Sequence, residues 1–269
     1  MDKSIKCASA NDKGNIYELN NVKFAYEKEL TVDIDSLQIS KGKITTIIGP
    51  NGSGKSTLLN LLSKNLKPND GEILLEGTDI SRIGRKDFAK RVSMVHQNNT
   101  APGDITVEKL VSYGRTPYKS LYSLGMNKED REKVNWAMEV TGVTGHRDRS
   151  ISNLSGGERQ RVWIAMALAQ ATDTIFLDEP TTFLDIKFQL EILGLARNLN
   201  CEYGMTVVMV LHDINQALHY SHELVTLKAG KLLDKGEPFH IVKPEIMREL
   251  YDVNLEITEV CGAPFVLTV

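Results

Sequence analysis

Nine consecutive residues, Gly49-Pro50-Asn51-Gly52-Ser53-Gly54-Lys55-Ser56-Thr57, leave few folds open to this chain. The first eight, Gly49 to Ser56, fit the P-loop pattern G-x-x-x-x-G-K-[ST]. Before them lies an apolar, β-branched run, Ile44 to Ile48; after them Leu58, Leu59, Leu61 and Leu62 share one helical face. The strand delivers the chain to a sharp bend, the glycines let backbone N–H groups turn inward, and the start of the helix adds positive partial charge. A phosphate-type anion is the expected occupant. Lys55 is placed to reach the β- and γ-phosphates of a nucleotide, and Ser56 to offer its hydroxyl to magnesium.

Two more apolar runs, Thr174 to Leu177 and Met205 to Leu211, read like the first as strands covered on both faces. Strands alternating with helices favour an α/β fold with a mostly parallel sheet and right-handed crossovers. From Ile16 to Ile39 short alternating stretches, with Tyr17 and Leu19 and then Val32 and Ile34, predict antiparallel strands beside that sheet. Between about Asp104 and Ala169 the pattern turns helical, with a polar run Asn127 to Lys133 and apolar Val134 and Met138 on one face. This part reads as an inserted helical subdomain. Near the end, Pro244 opens a short helix that runs to Tyr251.

The second apolar run ends in Asp178-Glu179-Pro180. Two adjacent carboxylates at the mouth of a sheet repel each other unless a cation is near, and a triphosphate-bound magnesium is such a cation. Asp178 is expected in the metal's shell, directly or through water, and Glu179 to align a water on the γ-phosphate. A further segment, Leu154-Ser155-Gly156-Gly157-Glu158, carries a capping-box pattern, so a helix should start near Gly156 with a glycine-rich first turn open to an anion.

Composition narrows the class. Thirty-two Lys+Arg against 35 Asp+Glu give a net charge of -3, with 41% apolar and 25% charged residues, which suits a globular protein and gives no electrostatic case for nucleic acid. The basic stretch Arg82, Arg85, Lys86, Lys90 and Arg91 is interspersed with Asp79 and Asp87 and reads as a solvated face. The run Val162 to Thr172 is far short of the roughly 18 to 20 residues that span a bilayer. With no signal-peptide pattern, the chain is expected on the cytosolic side. Cys7, Cys201 and Cys261, without a CxxC, suggest neither a disulfide framework nor a zinc site and read as buried or idle thiols. The histidines include no pair at a convincing metal spacing.

LSGGERQ, after the GPNGSGKST loop and before TIFLDEP, closely resembles the signature, loop and strand of the ATP-binding-cassette (ABC) ATPases of transporters. The resemblance covers nearly the whole chain. It implies a P-loop NTPase core, about residues 14–95 and 170–235, with an N-terminal antiparallel β-subdomain and an inserted helical subdomain, about 96–169. Together these form a cassette over 14–253, and a C-terminal tail, 236–269, packs on the core. It further implies that two copies face each other and that each magnesium-bound ATP is clamped between one P-loop and the other copy's signature. Ser155 and Gly157 are then expected to contact the γ-phosphate in trans. Gln97 resembles the glutamine that contacts the metal, Asp185 the aspartate of the loop at the dimer interface, and His212 the histidine on the γ-phosphate. Tyr26 resembles the aromatic on which adenine stacks, with Phe24 as the alternative.

By the same resemblance the chain is the separate ATPase subunit of a bacterial importer, peripheral on the cytoplasmic face. It would work with integral membrane permease subunits and, indirectly, an extracytoplasmic substrate-binding protein, and with no nucleic acid. The segment Gly114-Arg115-Thr116-Pro117 resembles the GRxP element of ATPases serving iron-siderophore, haem and cobalamin uptake. Ferric siderophore is the expected cargo, with cobalamin or haem as alternatives and a nucleic-acid-associated ABC ATPase behind them.

Overall fold

The computed structural model describes residues 14–27, 29–119, 125–260 and 263–267. The chain divides into two compact units, one formed by Met1–Arg82 with Leu199–Val269 and the other by Ile83–Asn198.

The first unit opens with two long antiparallel strands, β1 (Asn15–Tyr26) and β2 (Glu29–Ser40). Along β1 the buried set changes phase, from Tyr17 and Leu19 to Val22 and Phe24. An irregularity between Asn20 and Lys23 in the ladder to the fourth strand, with Asn21 at φ 49°, accounts for the change, because one slipped residue turns every later side chain to the other face. Next come β3 (Ile44–Ile48), buried at all five positions, and helix α1 (Lys55–Leu62), whose four leucines are buried. Burying each leucine contributes roughly 1.5–3 kcal/mol. The Tyr17 hydroxyl donates to the Leu62 carbonyl at 3.0 Å, tying β1 to the end of α1. β4 (Asp70–Leu75) and β5 (Thr78–Asp79) complete an antiparallel sheet in the order β2-β1-β4-β5.

In the second unit a short helix, α2 (Arg85–Phe88), leads to β6 (Val92–Val95). Three helices follow: α3 (Val107–Ser112), α4 (Lys128–Val140) and α5 (Gly156–Ala169). Asn127 and Asp130 form a reciprocal capping box on α4, and Ser155 and Glu158 form one on α5. β7 (Thr174–Asp178) is fully buried and pairs in parallel with β6, and α6 (Ile186–Tyr203) follows it.

The first unit resumes at Leu199, in the last turns of α6, and continues with β8 (Thr206–Val210), α7 (Ile214–Tyr220), β9 (Glu223–Lys228) and β10 (Lys231–Gly236). β3 lies between β8 and β9, parallel to both, and β10 turns back antiparallel on β9. The three apolar runs are strands with both faces covered, as the sequence predicts. At the start of β9, Glu223 takes Lys43 at 2.8 Å, Lys235 at 3.3 Å and the Ser40 hydroxyl at 2.7 Å. Burial alone would raise its carboxyl, but hydrogen bonds from Lys43 and Ser40 and the charge of Lys235 hold it below the usual range.

The tail forms α8 (Pro238–Ile241), α9 (Pro244–Tyr251) and a hairpin of β11 (Glu256–Val260) and β12 (Ala263–Leu267). Pro244 stands in the first turn of α9, while Met247 and Leu250 are buried. The hairpin is not foreseen from the sequence; Asn215 of α7 fastens it by exchanging two hydrogen bonds with the Val266 backbone. One expectation needs correcting. Cys201 is exposed and disulfide-bonded rather than an idle thiol. Cys7 and Cys261 lie outside the described residues.

Candidate functional site

In the first unit the P-loop runs from the end of β3 into α1. Gly49 and Gly54 are glycines for steric reasons: a Cβ on Gly49 would lie 2.1 Å from the Leu227 carbonyl oxygen, and one on Gly54 would lie 2.7 Å from that of Thr31. Gly52, at φ 77°, has open space where a side chain would be. The buried Lys55 ammonium curls back to donate to the carbonyls of Gly49 and Pro50, both at 2.9 Å. The Ser53 hydroxyl is buried and has no hydrogen-bond partner. Leaving such a group unsatisfied costs about 1–3 kcal/mol, so a partner from outside the protein is favoured. No side chain caps the start of α1. A buried cation, an orphaned hydroxyl and an uncapped helix start in one loop fit a polyphosphate. Ser56 and Thr57 follow on the first turn, both half-buried.

Parallel pairing of β3 with β8 aligns Ile47 with Val210, so His212, two residues beyond Val210 and exposed, leaves the sheet at the end where the P-loop begins. Ligands of open α/β sheets gather at these carboxyl ends. Tyr26 closes β1 and is 51% exposed, whereas Phe24 is 8% exposed and meets the Tyr26 ring edge-on at 4.9 Å. Of the two aromatics only Tyr26 presents a ring to solvent.

The carboxylates belong to the second unit. Asp178 ends β7 and is buried; Glu179 follows at φ 48° and is half-buried. β6 and β7 pair Val95 with Leu177, which puts Gln97 and Glu179 two residues past the same register position. Gln97 Nε2 donates to Glu179 Oε2, and the Thr182 hydroxyl donates to the same oxygen at 3.1 Å. The sequence names Gln97 and Glu179 separately; their contact depends on register.

At the start of α5, Ser155 is exposed and Gly157 buried. The Ser155 amide donates to Glu158 at 2.8 Å, and His146 lies 3.3 Å from that carboxylate. Hydrogen bonds from Ser155, chiefly its backbone N–H, hold Glu158 below the usual carboxylate range. Asp185 accepts the Phe188 amide at 3.0 Å, just ahead of α6.

The family model for ABC transporters matches residues 32–182, more than half of the chain. The chain belongs to the ABC transporter family. It is an ATP-binding and hydrolysing cassette. The cassette is 45% identical over 232 residues to the iron(3+)-hydroxamate import ATP-binding protein FhuC of Bacillus subtilis, covering 86% of each chain. It is 44% identical to the ferric enterobactin transport ATP-binding protein FepC of Escherichia coli, covering 95% of this chain and 93% of that one. Among solved structures, the dimeric bacterial ABC transporter cassette MJ0796 superposes with a TM-score of 0.72 at 30% identity, covering 82% of this cassette and 98% of that one. Among the described residues no helix is long and apolar enough to cross a membrane.

Two features of the cassette lie outside the sequence expectations. Arg115 of the Gly114-Arg115-Thr116-Pro117 segment is 1% exposed; it donates to Asp130 at 2.8 Å and to the Ala169 carbonyl at 3.0 Å, with the Tyr118 ring centred 3.9 Å away. Nothing in the sequence marks that arginine as buried. Tyr251, at the end of α9, hydrogen-bonds the Gly49 backbone at the head of the P-loop; burial pushes its hydroxyl up to about 12, against that bond. Lys228 next to Leu227 holds the same helix end through the Glu249 carbonyl and the Asp252 carboxylate, at 2.5 and 2.6 Å.

Proposed function

We propose that the cassette powers uptake of a ferric siderophore through a separate membrane permease, working as a homodimer at the cytoplasmic face with an extracytoplasmic binding protein that it never touches. The observation that carries this reading is the likeness, over most of the chain, to an import and a transport ATP-binding protein whose names give iron(3+)-hydroxamate and ferric enterobactin as cargo. The complete P-loop with its orphaned Ser53 hydroxyl supports a hydrolysing subunit rather than a scaffold. In functional terms the core is about 14–95 and 170–235, the helical subdomain about 96–169, and the tail 236–269.

Magnesium-bound ATP supplies the γ-phosphoryl group and its ADP leaving group. Gly49 to Gly54 cradle the phosphates with backbone N–H groups, Lys55 exchanges its two loop carbonyls for phosphate oxygens, and the Ser53 hydroxyl gains its missing partner. Ser56 and Asp178 would hold the magnesium, with Gln97 beside it, and the ion would neutralise charge on the phosphates. Glu179 keeps one carboxylate oxygen on Gln97 and Thr182 and turns the other toward the attacking water, while His212 donates to the γ-phosphate. Tyr26 stacks on adenine, supported by the edge of Phe24. Ser155, Gly157 and Asp185 act on the nucleotide of the partner subunit.

Cells that rely on this cassette for iron test the proposal. Uptake of labelled ferric siderophore is expected with the wild type and lost with Glu179→Gln, while haem and cobalamin uptake stay unchanged. Unimpaired ferric-siderophore uptake in a strain lacking the cassette would contradict the proposal.

A further inference from the structure

Gly157 is glycine for a reason that lies inside the protomer. A Cβ there would stand 2.2 Å from Phe188 Cγ and 2.8 Å from Phe188 Cβ, atoms close to the α6 backbone that cannot swing aside as a side-chain tip can. Gly156 beside it is looser: a Cβ there would lie 3.5 Å from Leu184 Cδ2. The contact belongs to a seam between two helices. One turn further along, Arg161 of α5 meets Glu191 of α6 at 3.2 Å, and the Arg161 guanidinium lies 5.9 Å from the Phe188 ring centre. The same Phe188 donates its backbone N–H to Asp185 at 3.0 Å.

We propose that Phe188 is a positioning residue that sets the height of the Ser155–Gly157 tip and locks it to Asp185. Its ring is the backstop of the tip and its amide is the anchor of the aspartate, so the two groups that meet the partner's nucleotide move as one piece. The proposal rests on the reading that this tip serves the partner subunit. Close packing makes the coupling stiff, because a ring in contact with a Cα has no void to yield into. A phosphate approaching Gly157 would also favour glycine. The two causes differ in one respect: only the Phe188 contact is eased when the ring is removed, leaving the Cβ at 2.8 Å.

The experiment is a double-mutant cycle on the full chain, comparing wild type, Gly157→Ala, Phe188→Ala and Gly157→Ala/Phe188→Ala. ATP turnover, the ATP-driven association of the same chains carrying Glu179→Gln, and single-chain affinity for a fluorescent ATP analogue are measured. Gly157→Ala is expected to lower turnover about 10-fold or more in the wild-type background and only about 3-fold in the Phe188→Ala background, where the Cβ contact alone remains, a coupling within the range of contacting residues. Nucleotide affinity of the single chain should stay within about 2-fold throughout, since the P-loop is untouched. Phe188→Leu keeps the atoms nearest Gly157 and should restore turnover to within about 3-fold of wild type, which gives a reading even if Phe188→Ala folds poorly. Equal costs of Gly157→Ala in both backgrounds, or no rescue by Phe188→Leu, would overturn the proposal alone. Failure of the Glu179→Gln chain to associate with ATP would remove the shared site itself, and the proposal with it.

Discussion

Arg115→Met should destabilise the second unit by about 3–5 kcal/mol, because it strands a buried carboxylate. Arg115 and Asp130 side chains are 1% and 5% exposed and meet at 2.8 Å, so neither partner has water to fall back on. Asp130 also accepts the Asn127 amide in the capping box of α4, and Arg115 also takes the carbonyl of Ala169, the last residue of α5. One guanidinium therefore joins the start of one helix to the end of another. Methionine fills much of the volume, so the loss is electrostatic rather than a cavity. Adding Asp130→Asn removes the stranded charge while keeping an acceptor for the cap, and should recover roughly 2 kcal/mol of the loss. Urea unfolding followed by tryptophan fluorescence reads the effect where it occurs, since the two tryptophans, Trp136 and Trp163, lie on α4 and α5. A loss under about 1 kcal/mol for Arg115→Met, or strict additivity in the double variant, would refute the reasoning.

Alkaline titration tests the tail. With a folded value of about 12 against an ordinary 10, Tyr251 ionises first in the unfolded chain; stability is untouched below pH 10 and falls between pH 10 and 12. The fall amounts to about 2–3 kcal/mol, and Tyr251→Phe should remove that share from the pH profile of urea midpoints. At the acid end, Glu223 is held below its ordinary 4.5, so its contribution is present above that pH and lost as pH falls through the lowered folded value. Glu223→Gln should flatten this acid limb and, with solvent screening, cost about 1 kcal/mol at neutral pH in the same assay. Lys55→Ala should weaken binding of a fluorescent ATP analogue by about 10-fold or more, as expected for a buried cation on phosphate; unchanged affinity would count against the cradle.

Local signals explain which parts of the fold and site were readable. The P-loop, the three covered strands and the Ser155–Glu158 capping box are written in contiguous residues, and each stands where its residue pattern predicts. Tyr26 and Phe24 both suit an adenine platform by type, and only burial separates them. Contacts across many residues were illegible. The phase change at Asn20 to Lys23 follows from the pairing of β1 with β4, and the Gln97–Glu179 bond from the register of β6 with β7. Arg115, charged and near a proline, looks like a surface residue until α4 and α5 close over it. The β11–β12 hairpin escaped because most of β11 is exposed, leaving little alternation to read.

The central claim is that two cassettes share each nucleotide, one giving the P-loop and the other the Ser155–Gly157 tip. It is tested most directly by mixing Lys55→Ala with Ser155→Arg subunits, each inactive alone, and measuring phosphate release. In a mixed pair one intact P-loop faces one intact tip, so random mixing in equal amounts should restore about a quarter of wild-type turnover. Mixed pairs, verified by differential tags, that release no phosphate above either parent would contradict the account.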